Sequence, residues 1–190
     1  LSQQASIAEP TLIPAAPDVN AAGFVLMDPK SHKIIAEKNM QKKMDPASLT
    51  KLMVLYIAED ALKAGQIHLD DQVKVSRKAW AMQGSKAFLR ESTWISVKEL
   101  IDAIIIVSAN DATIALTEHI AGNEQTFVTL MNQTAKTLQM QHSHFNNTTG
   151  LPDLHHYSSP EDIAILASHL INDFPEYYKL YSKKWFSYNK

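Results

Sequence analysis

The chain contains no cysteine. Disulfides, thiol nucleophiles and cysteine-ligated zinc are therefore excluded, and the composition suits an oxidising compartment. Long apolar runs are missing too: the longest, Ala103 to Val107, is far too short to span a bilayer. Nor is there an excess of positive charge. A formal net charge of −2 gives no basic face of the kind nucleic acid requires, so no nucleic-acid partner is expected. Four histidines, His142, His144, His155 and His156, crowd one polar stretch, but no His-x-x-x-His pair or acid-bearing metalloprotease motif accompanies them. They read as loop residues, with no metal and no cofactor implied. Internal repeats and low-complexity tracts are absent. The sequence opens at Leu1 without a methionine, and Leu1 to Pro17 is rich in small residues and proline. It reads as a processed or trimmed terminus leading into an extended arm, residues 1–20, ahead of a domain over 21–190.

What is present fits a globular domain: 190 residues, 45% hydrophobic and 20% charged, are enough for a real core. Ala21 to Met27 and Lys33 to Lys38 are β-rich runs around the turn residues Asp28-Pro29-Lys30-Ser31, which predicts a hairpin. Asp45-Pro46 predicts a helix start, Asp45 as cap and Pro46 in the first turn, with the helix running to about Lys63 and stopping at Gly65. That helix is apolar nearly all round and should be buried. A strand is expected at Gln72 to Val75, a short helix at Arg77 to Met82, and a flexible loop entering a strand at Gln83 to Leu89. Ser96-Val97-Lys98-Glu99 is a capping box opening a helix through Ile106. Further helices are expected at Ala112 to Ile120 (closed by Gly122), from Asn123 to about Leu138, and at Ile163 to Ile171 after Ser159-Pro160. A polar loop, Gln141 to His156, separates the last two. Pro175 to Tyr181 suggests a helical turn and Lys184 to Tyr188 alternates like a strand. Strands at the ends with helices between predict an α+β fold, an antiparallel sheet from the chain ends beside a mainly helical middle.

Two short patterns bear on chemistry. Ser48 lies in a first helical turn, where free N–H groups and the helix dipole favour a developing anion. Lys51 is one turn on and on the same face. A hydroxyl with an amine so placed has the layout of a lysine-activated serine nucleophile. Sixty residues later Ser108-Ala109-Asn110 sits between two helical runs, where the hydroxyl could relay a proton and the carboxamide bind a substrate amide, or either could cap the next helix. Either pattern alone is common by chance; Ser187-Tyr188-Asn189-Lys190 matches both. Their order and local context make the pair more specific.

With those residues in view, Met44-Asp45-Pro46-Ala47-Ser48-Leu49-Thr50-Lys51-Leu52-Met53 resembles the active-site segment of the low-molecular-mass penicillin-binding proteins, the D-alanyl-D-alanine carboxypeptidases of bacterial envelopes. Gly84-Ser85 before Phe88-Leu89, Val107 to Ala112, His144-Phe145 ahead of Gly150-Leu151, and Tyr157-Ser158-Ser159 extend the likeness over about Ala21 to Lys190. The resemblance implies a β-lactamase/transpeptidase-like fold with its site in a cleft between sheet and helices. It implies that Ser48 is the acylated nucleophile, that Lys51 takes its proton, that Ser108 and Asn110 line the cleft, and that Gly84 and Ser85 form a loop beside it. The expected partners are a peptidoglycan pentapeptide and β-lactam antibiotics, in the periplasm, with the parent protein attached to the inner membrane. A class A-like β-lactamase and a non-catalytic peptidoglycan-binding fragment are the alternatives. No Glu-x-x-Leu-Asn stretch follows Asn110, which disfavours the lactamase.

Two features depart from the pattern. The family's Lys-Thr-Gly strand is absent, which suggests a fragment whose C-terminal strands lie in the remainder of its own chain. Arg90-Glu91-Ser92-Thr93 does not resemble the family's turn closely. With that strand would go the cation for a substrate carboxylate and one oxyanion-hole N–H. Lys86 and Arg90 are the other cations near the motifs, and both read as solvated surface charges. Asn146 to Thr149 contains two glycosylation sequons that read as turn residues. Trp80, Trp94 and Trp185, with Tyr177, Tyr178 and Tyr181, read as packing residues in preference to a carbohydrate platform.

Overall fold

Apolar residues at nearly every position from Met53 to Ala58 demand a helix buried on all sides, and the computed structural model, which describes residues 17–188, puts one there. Helix α1 (Thr50–Lys63) buries Met53, Val54, Leu55, Ala58, Ala61 and Leu62. Gly65, at φ +69°, ends it in the left-handed conformation that favours glycine. Around α1 pack α4 (Asn110–Ala121), α5 (Glu124–Thr137) and α6 (Pro160–Asp173). Their inward residues, Ile114, Leu116, Phe127, Met131 and Leu166, are fully buried and close one hydrophobic core. Each such side chain contributes roughly 1.5–3 kcal/mol of burial.

Local chemistry sets the element ends. Ser96 and Glu99 form the reciprocal capping box at the start of α3 (Val97–Val107). Asn123 caps α5 through Thr126 N–H, and Ser159 caps α6 through Asp162 N–H with Pro160 in the first turn. The hairpin is present as β1 (Phe24–Met27) and β2 (Ile34–Lys38), antiparallel, with the Asp28 carboxylate accepting from Lys30, Ser31 N–H and Ser31 O–H across the turn. A second antiparallel pair joins β3 (Gln72–Lys74) to β4 (Trp94–Ser96), with α2 (Arg77–Trp80) between them in sequence. Helix α7 (Pro175–Tyr178) and a 3-10 turn (Lys179–Ser182) follow α6.

Four expectations need correction. The α-helix does not start at Pro46: Asp45 accepts from Ala47 N–H, Ala47–Leu49 is a 3-10 turn, and α1 begins at Thr50. The turn is forced out of α geometry by Ala47, whose φ is +45°. Second, Gln83–Leu89 enters no strand; the stretch is a loop whose backbone is held by a side chain (below), and the strand lies at β4. Third, Lys184–Tyr188 does alternate, with Phe186 and Tyr188 facing the core and stacked on each other at 6.5 Å. Yet it lies along α3 and the β3–β4 turn, as the Tyr188–Thr93 hydroxyl contact and the Lys183–Asp102 ion pair show, and it forms no ladder with any described strand. The α+β class holds, but among the described residues the sheets are two separate pairs, not one sheet from the chain ends. Fourth, the tryptophans do not pack: Trp80, Trp94 and Trp185 are 45%, 61% and 89% exposed. Most of the arm assigned to residues 1–20 lies outside the described residues, as do Asn189 and Lys190.

Candidate active site

The 3-10 turn and the first turn of α1 place Ser48 and Lys51 on one face. Lys51 Nζ lies 3.0 Å from Ser48 Oγ and donates to Thr149 C=O at 2.8 Å. Ser48 is exposed, whereas Lys51 is 3% exposed and has no carboxylate partner among the described residues. Burial without a counter-charge pulls its ammonium from 10.5 down to about 8. A neutral amine accepts the proton of the hydroxyl beside it; a charged one cannot. Ser48 N–H makes no hydrogen bond among the described residues, so it is free to serve an oxyanion formed at Oγ.

Lys51 is held by the polar loop that carries the two sequons, a role its sequence did not reveal. Asn147 Oδ1 accepts from Thr149 N–H and Gly150 N–H, a turn that presents Thr149 C=O inward. Gly150 sits at φ +81° against the Ala47 carbonyl, and a methyl group there would overlap it. Thr148 binds Glu124 of α5 through its N–H and its hydroxyl, and Phe145 exchanges two bonds with the Asn132 carboxamide. The sequons at Asn146 and Asn147 are thus turn chemistry.

Ser108 is where expected, at the break between α3 and α4, in the left-handed region at φ 54°. Its hydroxyl makes no hydrogen bond to Ser48 or Lys51. It does not cap α4, and neither does Asn110: α4 has no side-chain cap. Instead Asn110 turns away from its helix. Its Nδ2 donates to Gln83 C=O at 2.7 Å, and its N–H donates to Ser85 C=O at 2.7 Å. Its Oδ1, fixed in direction by that bond, is buried with no partner among the described residues. Gly84 passes so close that a Cβ would lie 2.8 Å from Asn110 Nδ2. Gly84, Ser85 and Asn110 are therefore one contact.

Next to them, Asp111 does what the sequence reading missed. Fully buried, it accepts from Ala87 N–H at 2.9 Å and Leu89 N–H at 3.0 Å, one carboxylate oxygen for each. The 83–89 loop is thereby clamped, not flexible. Lys86 is spent on Trp80 C=O at 2.8 Å. No group of His and carboxylates among the described residues could hold a metal ion.

Comparison with known proteins places the chain in a family. The family profile described as D-alanyl-D-alanine carboxypeptidase, peptidase S11, matches residues 11–190. The chain is 43% identical over 177 residues to D-alanyl-D-alanine carboxypeptidase DacA of Haemophilus influenzae, covering 92% of this chain and 45% of that protein. It is 42% identical over 181 residues to DacC of Escherichia coli, with the same coverage. Among solved structures, penicillin binding protein 5 from Haemophilus influenzae superimposes with a TM-score of 0.90 at 42% identity, over 93% of this chain and 52% of that one. The chain spans about half the length of the curated relatives it matches. By the profile and by these relatives it belongs to the D-alanyl-D-alanine carboxypeptidase family, peptidase S11.

Proposed function

We propose that this chain carries the nucleophile of a serine D-Ala-D-Ala carboxypeptidase that trims the terminal D-alanine from peptidoglycan pentapeptides, and that β-lactams acylate the same hydroxyl. The observation that carries the reading is the buried Lys51 amine, 3.0 Å from Ser48 Oγ and without a carboxylate partner among the described residues. Ser48 Oγ attacks the carbonyl carbon of the penultimate D-alanine while its proton passes to neutral Lys51. The oxyanion accepts from Ser48 N–H. Collapse breaks the C–N bond, and D-alanine leaves after gaining a proton from Lys51, directly or by way of the Ser108 hydroxyl. Water then attacks the ester, freeing the shortened peptide and restoring Ser48. In a β-lactam the same C–N bond breaks, but the amine stays tethered and cannot diffuse away.

Asn110, with Gly84 and Ser85 behind it, forms one wall for the substrate peptide. The remainder of the protein supplies a cation for the terminal carboxylate and a second oxyanion donor. The site works in the periplasm, with the parent protein attached to the inner membrane, and needs no cofactor. Incubating the complete gene product with a fluorescent penicillin, followed by a denaturing gel, tests the reading. A stable labelled band that disappears in Ser48→Ala, with D-alanine release from a pentapeptide lost in parallel, is expected. Label surviving in Ser48→Ala would refute the assignment; an adduct that turns over rapidly would mean a β-lactamase, and no label at all a binding protein.

A further inference from the structure

Between α5 and α6 the 141–159 loop crosses the nucleophile turn, and one buried side chain joins the two. His156, 4% exposed, lies with its Nε2 2.7 Å from the Oγ1 of Thr50, which is fully buried. Its Nδ1 is 3.0 Å from Asn146 N. An amide N–H only donates, so Nδ1 must be the unprotonated nitrogen, and Nε2–H donates to Thr50. Only the neutral ring in this tautomer makes both bonds. The ring's ends are thus fixed to the residue before Lys51 and to the residue before Asn147, whose carboxamide shapes the turn presenting Thr149 C=O to Lys51. Phe145 holds the ring edge-on at 5.7 Å.

We propose that His156 is a positioning residue for acylation: a neutral imidazole strut that holds Thr149 C=O on Lys51 and so aims the amine at Ser48. The proposal rests on the reading of Ser48 and Lys51 given above. Protonation would set a second N–H against Asn146 N–H, and the strut would part. Burial, the largest influence on the ring, opposes that and holds its pKa below the ordinary imidazole value. Asp45 of the nucleophile turn and Asp153 of the same loop favour the charged form, while His144 across the strand-like bridge disfavours it. Acid therefore acts on the site twice, once by protonating Lys51 and once by releasing the strut.

The test is the second-order rate of acylation of the complete gene product by a fluorescent penicillin, from about pH 5 to pH 9. With Lys51 alone titrating, the logarithm of the rate climbs with slope one up to about pH 8. With His156 as strut the wild-type slope steepens towards two in the acid range. His156→Phe, which keeps the ring and removes both nitrogens, should lower the plateau on the order of 10-fold to 10²-fold, as expected of a displacement of about 1 Å. Its slope should stay at one throughout. A His156→Phe plateau and slope equal to wild type overturn the proposal. If that variant loses its cooperative thermal transition, Thr50→Val decides: a lowered plateau at unchanged Tm supports the strut, and an unchanged plateau refutes it. A wild type that no penicillin labels would sink the nucleophile reading; a labelled wild type with an indifferent His156→Phe would sink the strut alone.

Discussion

Titrating Lys51 tests the central chemical claim with no mutation at the nucleophile. A lysine in water holds its proton until about pH 10.5; here burial brings release down to about pH 8. At pH 7 the neutral form then makes up about one molecule in ten, against about three in ten thousand for an unperturbed amine. The burial of one side chain thus raises the population of competent base by about 300-fold. Acylation measured with a fluorescent penicillin should rise with pH through neutrality and level off above about pH 8. A profile flat through pH 8, or one still climbing towards pH 10, would show that Lys51 is not the base or is not dehydrated as described. The same displacement appears in stability, with a definite sign. Between about pH 8 and 10.5 the unfolded lysine is protonated and the folded one is not, so stability rises with pH across that window. The rise is at most about 3 kcal/mol. Lys51→Met, which has no proton to lose, should lack it, and comparing Tm of the two proteins at pH 8 and pH 10 reads the difference.

Glu59 should show the opposite slope. It is fully buried on α1, its Oε1 accepts from Tyr181 O–H at 3.1 Å, and its Oε2 has no partner among the described residues. Burial, opposed by the Tyr181 bond and reinforced by Glu176, pushes it up to about 8. The folded state then keeps a proton that the unfolded state loses near pH 4.5, so stability falls as pH rises towards 8, by at most about 5 kcal/mol. Glu59→Gln should unfold at a higher temperature than wild type at pH 9 and show little gain at pH 4; parallel Tm curves for the two would refute this. Asp111→Asn leaves one of the two N–H groups of the 83–89 loop without its carboxylate oxygen, which should cost roughly 1.5–3 kcal/mol. Amide exchange should quicken at Ala87 and Leu89, and unchanged exchange there would mean that the clamp does not order the loop.

Where a residue's neighbours in sequence decided its conformation, the sequence was readable. The Ser96–Glu99 box, the Asn123 and Ser159 caps, the Asp28 turn and the glycine stop at Gly65 are local, and each occurs where expected. Errors arose where a distant partner decided. Lys184–Tyr188 has the alternation of a strand, but a strand also requires a neighbour's backbone, and this segment meets helix α3 instead. The start of α1 looked like an ordinary capped helix. Its left-handed Ala47 is dictated by Gly150, about a hundred residues downstream, whose missing side chain admits the Ala47 carbonyl.

The same division runs through the site. Ser48 and Lys51 are a turn apart, so helical periodicity was enough to pair them. What holds Lys51 in place and depresses its pKa is not local: Lys51 is buried under the 146–150 turn, and its second bond goes to a backbone carbonyl, which every residue type possesses and no motif encodes. His156 was legible only as one of several histidines in a polar loop. Its role depends on Thr50 standing 106 residues away, and the composition of the loop says nothing of that. Asn110 is the intermediate case. Its place at a helix start suggests a cap, yet its side chain is drawn off by Gln83 C=O, and Gly84 leaves the room. A residue that gives up the cap its position offers has been recruited by something else. That refusal, visible only in three dimensions, ties Asn110 to the 83–85 loop instead of to its own helix, and the proposal that it forms one wall for the substrate starts from there.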